Sequence, residues 1–344
     1  MRAIGWLSAV SALALAAPVM AAPRSAPDLQ GVWNNATLTP FERPAAAKGK
    51  LVLDPADALA IEKQNDDFIS KANARVDPGV KTEDLPTDCG RGFSGANCGY
   101  DFAWTDYGTK LVSIRGAKRS SIITEPADGR MPAMTPEGKA RAQRVREGRA
   151  GARGFDGPES RSLGERCIMS FGSSAGPPML PLLYNNNYAI VQTPEEVAIQ
   201  VEMVHEIRHV RLNVKHRNDG VRTWMGDSIG WYDGPTLVID TLNMRPEQNL
   251  QRGGSPDTHV VERLTRVSPT EILYQFRVEN PRSFTAPYAG ELTFNKAAGP
   301  IYEYACQEGN YGLHGILAGA RENEKRGLPA EGTDSGVRDR GGGG

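Results

Sequence analysis

The chain has almost no charge of one sign in excess: 40 basic residues stand against 41 acidic ones, for a net charge of -1. Such a balance creates no field to steer nucleic acid or an anionic membrane surface, and both partner classes are disfavoured. Beyond the first two dozen residues no stretch approaches the roughly 20 apolar residues that span a bilayer, so no transmembrane segment is expected in the mature protein. Phosphate-cradling loops and dinucleotide-binding glycine fingerprints following a strand are lacking too. GSSAG around Ser173 has no strand-to-helix setting of the kind that makes a nucleophile elbow. No cofactor is therefore expected. Cysteine is scarce, with 4 in the chain.

What is present begins with MRAIGWLSAVSALALAAPVMAAP, which has one basic residue, an apolar run and small residues at Ala21 and Ala22. That is the pattern of a secretory signal peptide, read over residues 1–22, and it implies a periplasmic or secreted protein. In an exported chain the cysteines are expected to pair. Cys89 and Cys98 bracket a Gly-rich loop, and Cys167 and Cys306 would then join the middle of the chain to its end. Three connectivities are possible for four cysteines, and this one is favoured.

Gly 38 and Pro 24 point to many turns rather than long helices. One β-rich domain is expected over 23–326, with helices near 55–73 and 136–150 and a disordered tail at 327–344. Asp54-Pro55 and Thr135-Pro136 place an N-cap residue before a proline at the first helical position. The second helix is basic throughout, as a solvated surface helix would be. GVW near residue 31 starts a first strand. LVSI and SSIIT are two further short strand runs. From Tyr188 onward YAIVQT, VAIQVEMV, IRHVRLNV, TLVIDTL, HVVERLTRV, EILYQFRV, ELTFNK and IYEYACQE alternate with turn-forming segments. This spacing predicts a mainly β fold, an antiparallel meander closing into a barrel, or pairing into a β-sandwich.

HEIRH, from His205 to His209, spells the H-E-x-x-H motif of zinc metalloproteases. That chemistry needs a helix, which puts both histidines on one face and brings them to one metal. Val197, Ile199, Val201 and Met203 instead alternate with polar or small residues at the period of a strand. Val201, Val204, Ile207 and Val210 also fit a helical spacing, so a helix over 201–212 is the requirement of the zinc reading. On a strand the two histidines would lie about 13 Å apart at ~3.3 Å per residue and could not share one ion. The strand reading is preferred, with no metal.

TWMGDSIGWYDGPTLVIDTLNM, HVVERLTRV and YEYACQEGNYGL resemble an abundant group of uncharacterised exported proteins of Gram-negative bacteria. Its pattern reads G-D-S-x-G-x-W-x-G-x-T-L-V-V-D-T, then E-R-F-T-R, then Y-E-Y-A-C-H-E-G-N-Y. DGRMPAMTPEG and LGERCI also look like its earlier segments. Gln307 stands where the group usually has His, and Gly230-Trp231-Tyr232-Asp233 depart from its G-R-W-x. The resemblance carries no activity. Gly31-Val32-Trp33 matches the G-x-W with which lipocalin-like barrels begin, which makes a lipocalin-like (calycin) barrel the leading architecture.

An eight-strand barrel has room for one small ligand held by apolar walls and a few polar groups. The residues expected near such a pocket are Glu202, His205, Arg208 and Asp227 as candidate catalytic groups, with Trp231, Glu308, Asn310 and His314 as ligand-binding ones. A histidine beside a carboxylate suits proton transfer near neutral pH, and Arg208 suits a two-bond grip on an anionic oxygen. The bland expectation for Asp240 and Glu262 is cross-strand pairing with Arg263 or Arg266. The function expected is enclosure of a small, partly apolar molecule, with metal-free hydration, elimination or isomerisation as the activity such groups could support. A non-catalytic carrier and a zinc hydrolase built on HEIRH are the alternatives. Thiol titration of the unreduced, denatured chain should find no free cysteine, whereas two or more free thiols would contradict the pairing.

Overall fold

A computed structural model of the chain describes residues 26–72, 79, 81, 106, 108–149, 151–170, 176–182, 184–248 and 257–330. Cys89, Cys98, Ser173, the signal segment 1–22 and most of the 327–344 tail lie outside the described residues. The strands are β1 (Gly31–Asn34), β2 (Ser113–Ile114), β3 (Ala117–Lys118), β4 (Ile123–Glu125), β5 (Asn187–Gln192) and β6 (Glu196–Val201). They continue with β7 (Ile207–Leu212), β8 (Asp227–Asp233), β9 (Thr236–Leu242), β10 (His259–Ser268), β11 (Glu271–Glu279) and β12 (Tyr288–Lys296). Among the described residues three α-helices accompany them: α1 (Pro55–Ala72), α2 (Pro136–Arg149) and α3 (Tyr311–Lys325).

Strands β5 to β12 pair in chain order, and β1 closes the ring by bonding β5 on one side and β12 on the other. Closure gives a nine-strand barrel and rules out the open-edged sandwich. Strand β4 pairs with β12 at Ala289 and Gly290, on the edge that β1 takes at Asn295 and Lys296, and β2 pairs only with β3. No described helix is long and apolar enough to cross a membrane.

The expected antiparallel meander needs one correction. Strands β7 and β8 run parallel, with Val210 opposite Ser228 and Leu212 opposite Gly230. Parallel neighbours cannot be joined by a tight hairpin, and here residues 213–226 carry the chain back along the outside of the wall. The crossover re-enters through Gly226, at φ +76, where a Cβ would come within 2.6 Å of the Leu242 carbonyl oxygen. Only glycine tolerates both that dihedral and that approach.

Alternation decides what fills the barrel. Val197, Ile199 and Val201 face inward from β6, Val210 and Leu212 from β7, Leu237 and Ile239 from β9, and Val260 and Leu264 from β10, all buried. Aromatic side chains occupy the opposite wall: Tyr188 stacks on Phe294 with ring centres 5.1 Å apart, and Tyr274 lies 5.1 Å from the same Phe294. A further ring on this wall, Phe276, finds its space at Gly290, where a Cβ would meet it at 2.5 Å. Trp33 of the G-x-W is buried, its indole N–H donating to the Leu29 carbonyl at 2.9 Å and Arg266 lying over its ring.

One further expectation changes at the C-terminal end. IYEYACQE is not a strand: 301–305 are irregular and a turn runs from Cys306 to Asn310. The ring is already closed by β1, so no sheet edge is left for that segment on β12's barrel side. The chain turns instead into α3, capped by the Asn310 side-chain oxygen accepting from the Leu313 N–H at 3.2 Å.

One charged pair sits among the inward residues. The Arg208 guanidinium is held by Glu262, whose side chain is 0% exposed, and the remaining donors reach the hydroxyls of Ser228 at 3.0 Å and Thr241 at 2.8 Å. Glu262 therefore faces inward to Arg208 and does not pair with Arg263 or Arg266, which bond Asp233 and Asp28 on the surface. Removing one member of a buried pair strands the other charge, at a cost of about 3–5 kcal/mol. Arg208→Met should lower unfolding free energy in urea by about that amount, and the double change Arg208→Met with Glu262→Leu should recover much of it; an unchanged midpoint in the single variant would contradict the burial.

Candidate functional site

The eight sequence-predicted site residues fall into three places. Arg208 lies inside the barrel, locked as described. Tyr274 O–H donates to Glu262 at 2.7 Å, and the Met179 backbone N–H donates to Tyr274 at 2.8 Å, so a segment beyond the strands is tied into the same network. Burial and the neighbouring Glu262 carboxylate push the Tyr274 hydroxyl well above its ordinary range. Four of the five Arg208 guanidinium N–H donors are spent inside this cluster.

Asp227 and Trp231 lie on the outer face of β8, since Ser228 between them turns inward. Asp227 accepts from Arg211 at 2.7 Å, from the Arg217 backbone N–H at 2.7 Å and from His216 Nδ1 at 3.1 Å. The other ring nitrogen of His216 reaches Asp240 at 3.1 Å, and His259 reaches the same oxygen at 2.9 Å. The sequence does not mark His216 and His259 as a cluster, and Asp240 pairs with them rather than with Arg263 or Arg266. This outer cluster pins the 213–226 crossover to β8, β9 and β10. Trp231 is 40% exposed.

Glu202, His205, Glu308, Asn310 and His314 belong to one end of the barrel. The HEIRH segment there is neither a helix nor one continuous strand. Met203–His205 form a single 3-10 turn, and Ile207–Leu212 a strand. The zinc-protease reading is thereby corrected, because its helix over 201–212 does not form: the β-branched residues pair in β6 and β7 instead. His209 points outward to Glu196. Glu202 is buried and accepts from Asn187 Nδ2 at 2.8 Å. Val204 and His205 have φ of 63° and 45°, a left-handed backbone that is costly for a β-branched residue. That turn presents His205 Nδ1 at 3.1 Å from the Tyr304 carbonyl.

Tyr304 is part of a cleft of about 440 Å³ lined by Gly164, Glu165, Cys167, Glu303 to Cys306, Asn310, Leu313 and Ile316. The Cys167–Cys306 disulfide joins its two walls, and Asn310 Nδ2 crosses between them to the Glu165 carbonyl at 2.8 Å. Burial pushes the Glu165 carboxyl up, but bonds from Ser162 and Arg161 outweigh it and hold the group below its ordinary range. Glu308 and His314 are exposed beside the cleft, in the turn before α3 and on its first turns. No protein family, curated protein or solved structure was found to match the chain.

The outer cluster makes a pH-dependent contribution whose sign follows from its shifts. The hydrogen bond that His259 donates to Asp240 raises the imidazole above its usual 6.5, so its contribution is full below that value and fades as pH rises through the raised one. Burial opposes ionisation of Asp227 and Asp240, yet their N–H partners hold both below the usual 3.8. Their contribution is present above that value and fades as pH falls through the lowered ones. The destabilisation caused by His259→Gln, measured in urea, should be largest near about pH 5 and shrink in alkaline solution; a deficit that grows with pH would contradict the assignment.

Proposed function

We propose that this protein binds a small, partly apolar molecule at the end of its barrel, in the cleft between the Gly164–Cys167 turn and the start of α3. The observation that carries this reading is the cleft itself. Its volume of about 440 Å³ suits a small ligand, and Leu313, Ile316, Tyr304 and the disulfide supply apolar wall beside the polar Glu165, Glu303 and Asn310. The barrel interior is less suited, because aromatic rings and the spent Arg208–Glu262 network occupy it. Export is part of the same proposal, supported by the signal-like start of the sequence and by a disulfide, which persists in oxidising compartments.

A second reading, acid/base turnover of the bound molecule, is favoured by the strained backbone at Val204 and His205. Such strain concentrates at working sites, and here it holds an exposed imidazole against a carbonyl of the cleft wall. Glu202 lies one turn back and buttresses the turn through Asn187. Turnover would appear as chemical conversion of a bound compound by the native chain that is lost in His205→Ala while binding persists; conversion unaltered in that variant would exclude the histidine.

Binding can be tested with the neutral probe N-phenyl-1-naphthylamine. Its fluorescence should rise with the native protein and its affinity fall about tenfold in Ile316→Asp, which is 1.4 kcal/mol of lost contact. Val267→Asp, an exposed site on β10 away from the cleft, should bind as the native chain does. Equal affinity in Ile316→Asp and the native protein would place the probe elsewhere.

A further inference from the structure

The disulfide in the cleft is not placed where a barrel needs one. The ring closes through β1 without it, and both cysteines lie in turns, Cys167 with φ 54° and Cys306 at the start of the turn before α3. Its two cysteines are also unequally buried. Cys167 is 5% exposed, whereas Cys306 is only half-buried, and both line the cleft.

Chemistry follows from that inequality. Thiol–disulfide exchange requires a thiolate to reach one sulfur and the other sulfur to leave with the electron pair. Cys306 is the more exposed of the two residues, and attack is expected at its sulfur. The sulfur that would leave, Cys167 Sγ, already accepts a hydrogen bond from Asn310 Nδ2 at 3.4 Å. Asn310 is the N-cap of α3, a helix of 15 residues, so the departing charge would form beside a helix N-terminus. A donor and a helix N-terminus both stabilise a thiolate.

We propose that Cys306 is a thiol-exchange site and that the cleft's ligands include small aminothiols. This rests on the cleft being the binding site. The incoming thiolate attacks Cys306 Sγ, the Cys167–Cys306 bond breaks, and its electron pair passes to Cys167 Sγ, leaving a mixed disulfide on Cys306 and a thiolate on Cys167. A second thiol attacking that mixed disulfide at the ligand sulfur releases the small-molecule disulfide and leaves both cysteines reduced. The preference for an amine comes from Glu303 on the cleft wall, whose carboxylate attracts a cation and repels an anion of the same size, whereas Glu165 is already paired with Arg161. Opening the bond also frees the two walls from their covalent tie, so exchange would loosen the cleft that holds the ligand.

The test exposes the native full-length protein to cysteamine or to the anionic thiol 2-mercaptoethanesulfonate, followed by acid quench and peptide mass spectrometry. The expected result is an adduct on Cys306 with Cys167 free. Native-state rates should favour cysteamine by about tenfold after each is divided by its rate with the urea-unfolded chain, the size of one favourable charge contact. Asn310→Asp keeps an N-cap oxygen for α3 but lacks the N–H donor, and it should slow adduct formation by about tenfold. An intact disulfide under native conditions, an adduct on Cys167, or an Asn310→Asp rate equal to that of the native protein would each overturn the proposal. N-phenyl-1-naphthylamine binding on the same samples separates the two ideas: probe binding without exchange removes the thiol chemistry alone, and absence of probe binding removes the cleft reading beneath it.

Discussion

A buried arginine and a buried glutamate face each other across the barrel, and much of the architecture is arranged so that neither is left alone. Arg208 comes from β7 and Glu262 from β10, with β8 and β9 between them supplying the Ser228 and Thr241 hydroxyls. The pair thus spans four adjacent strands from within, including the parallel junction of β7 and β8, which has three paired positions. Tyr274 extends it to β11, and the Met179 N–H extends it to the segment that precedes β5. Ionised groups taken out of water are costly unless each lone pair and proton is matched. Here the matching fixes which strands may be neighbours and in which register.

The same wall is tied a second time from outside. Asp227 and Asp240, on β8 and β9, hold His216 from the crossover between their carboxylates, and His259 of β10 joins at Asp240. Inner and outer networks therefore cover the same strands on opposite faces, with Asp227 and Ser228, consecutive residues, serving one each. A parallel junction inside an otherwise antiparallel barrel has few backbone bonds to rely on, and side chains on both faces compensate.

Much of this was legible in sequence, and the reasons for the rest are physical. Strand alternation locates β5 to β7, β9 to β12 and the barrel, because a half-buried wall forces a period of two; β8, whose DSIGWYD is interrupted by Gly230, is missing from the strand runs read in the sequence. Alternation also contained the clue to the buried pair: Arg208 is in phase with Val210 and Leu212, and Glu262 with Val260 and Leu264, so both had to face inward. Pairing across 54 positions is not visible in either segment alone, and Glu262 was instead matched to arginines nearby in sequence. The parallel step at 213–226 had the composition of an ordinary turn and differed only in length. IYEYACQE had strand-forming residues but no edge on which to pair. The helix after it escaped notice because glycines 312, 315 and 319 mask its period.

Function is consequently sought at the barrel's end rather than in its interior. There the strained Val204–His205 turn, the disulfide and the start of α3 surround a cleft with apolar walls and two carboxylates. The most direct test is NMR on isotopically labelled native protein with N-phenyl-1-naphthylamine added. The account predicts shift changes confined to Gly164, Cys167, Tyr304, Leu313 and their neighbours; changes centred on the inward residues Val210, Leu264 and Phe294 would contradict it and place the ligand inside the barrel.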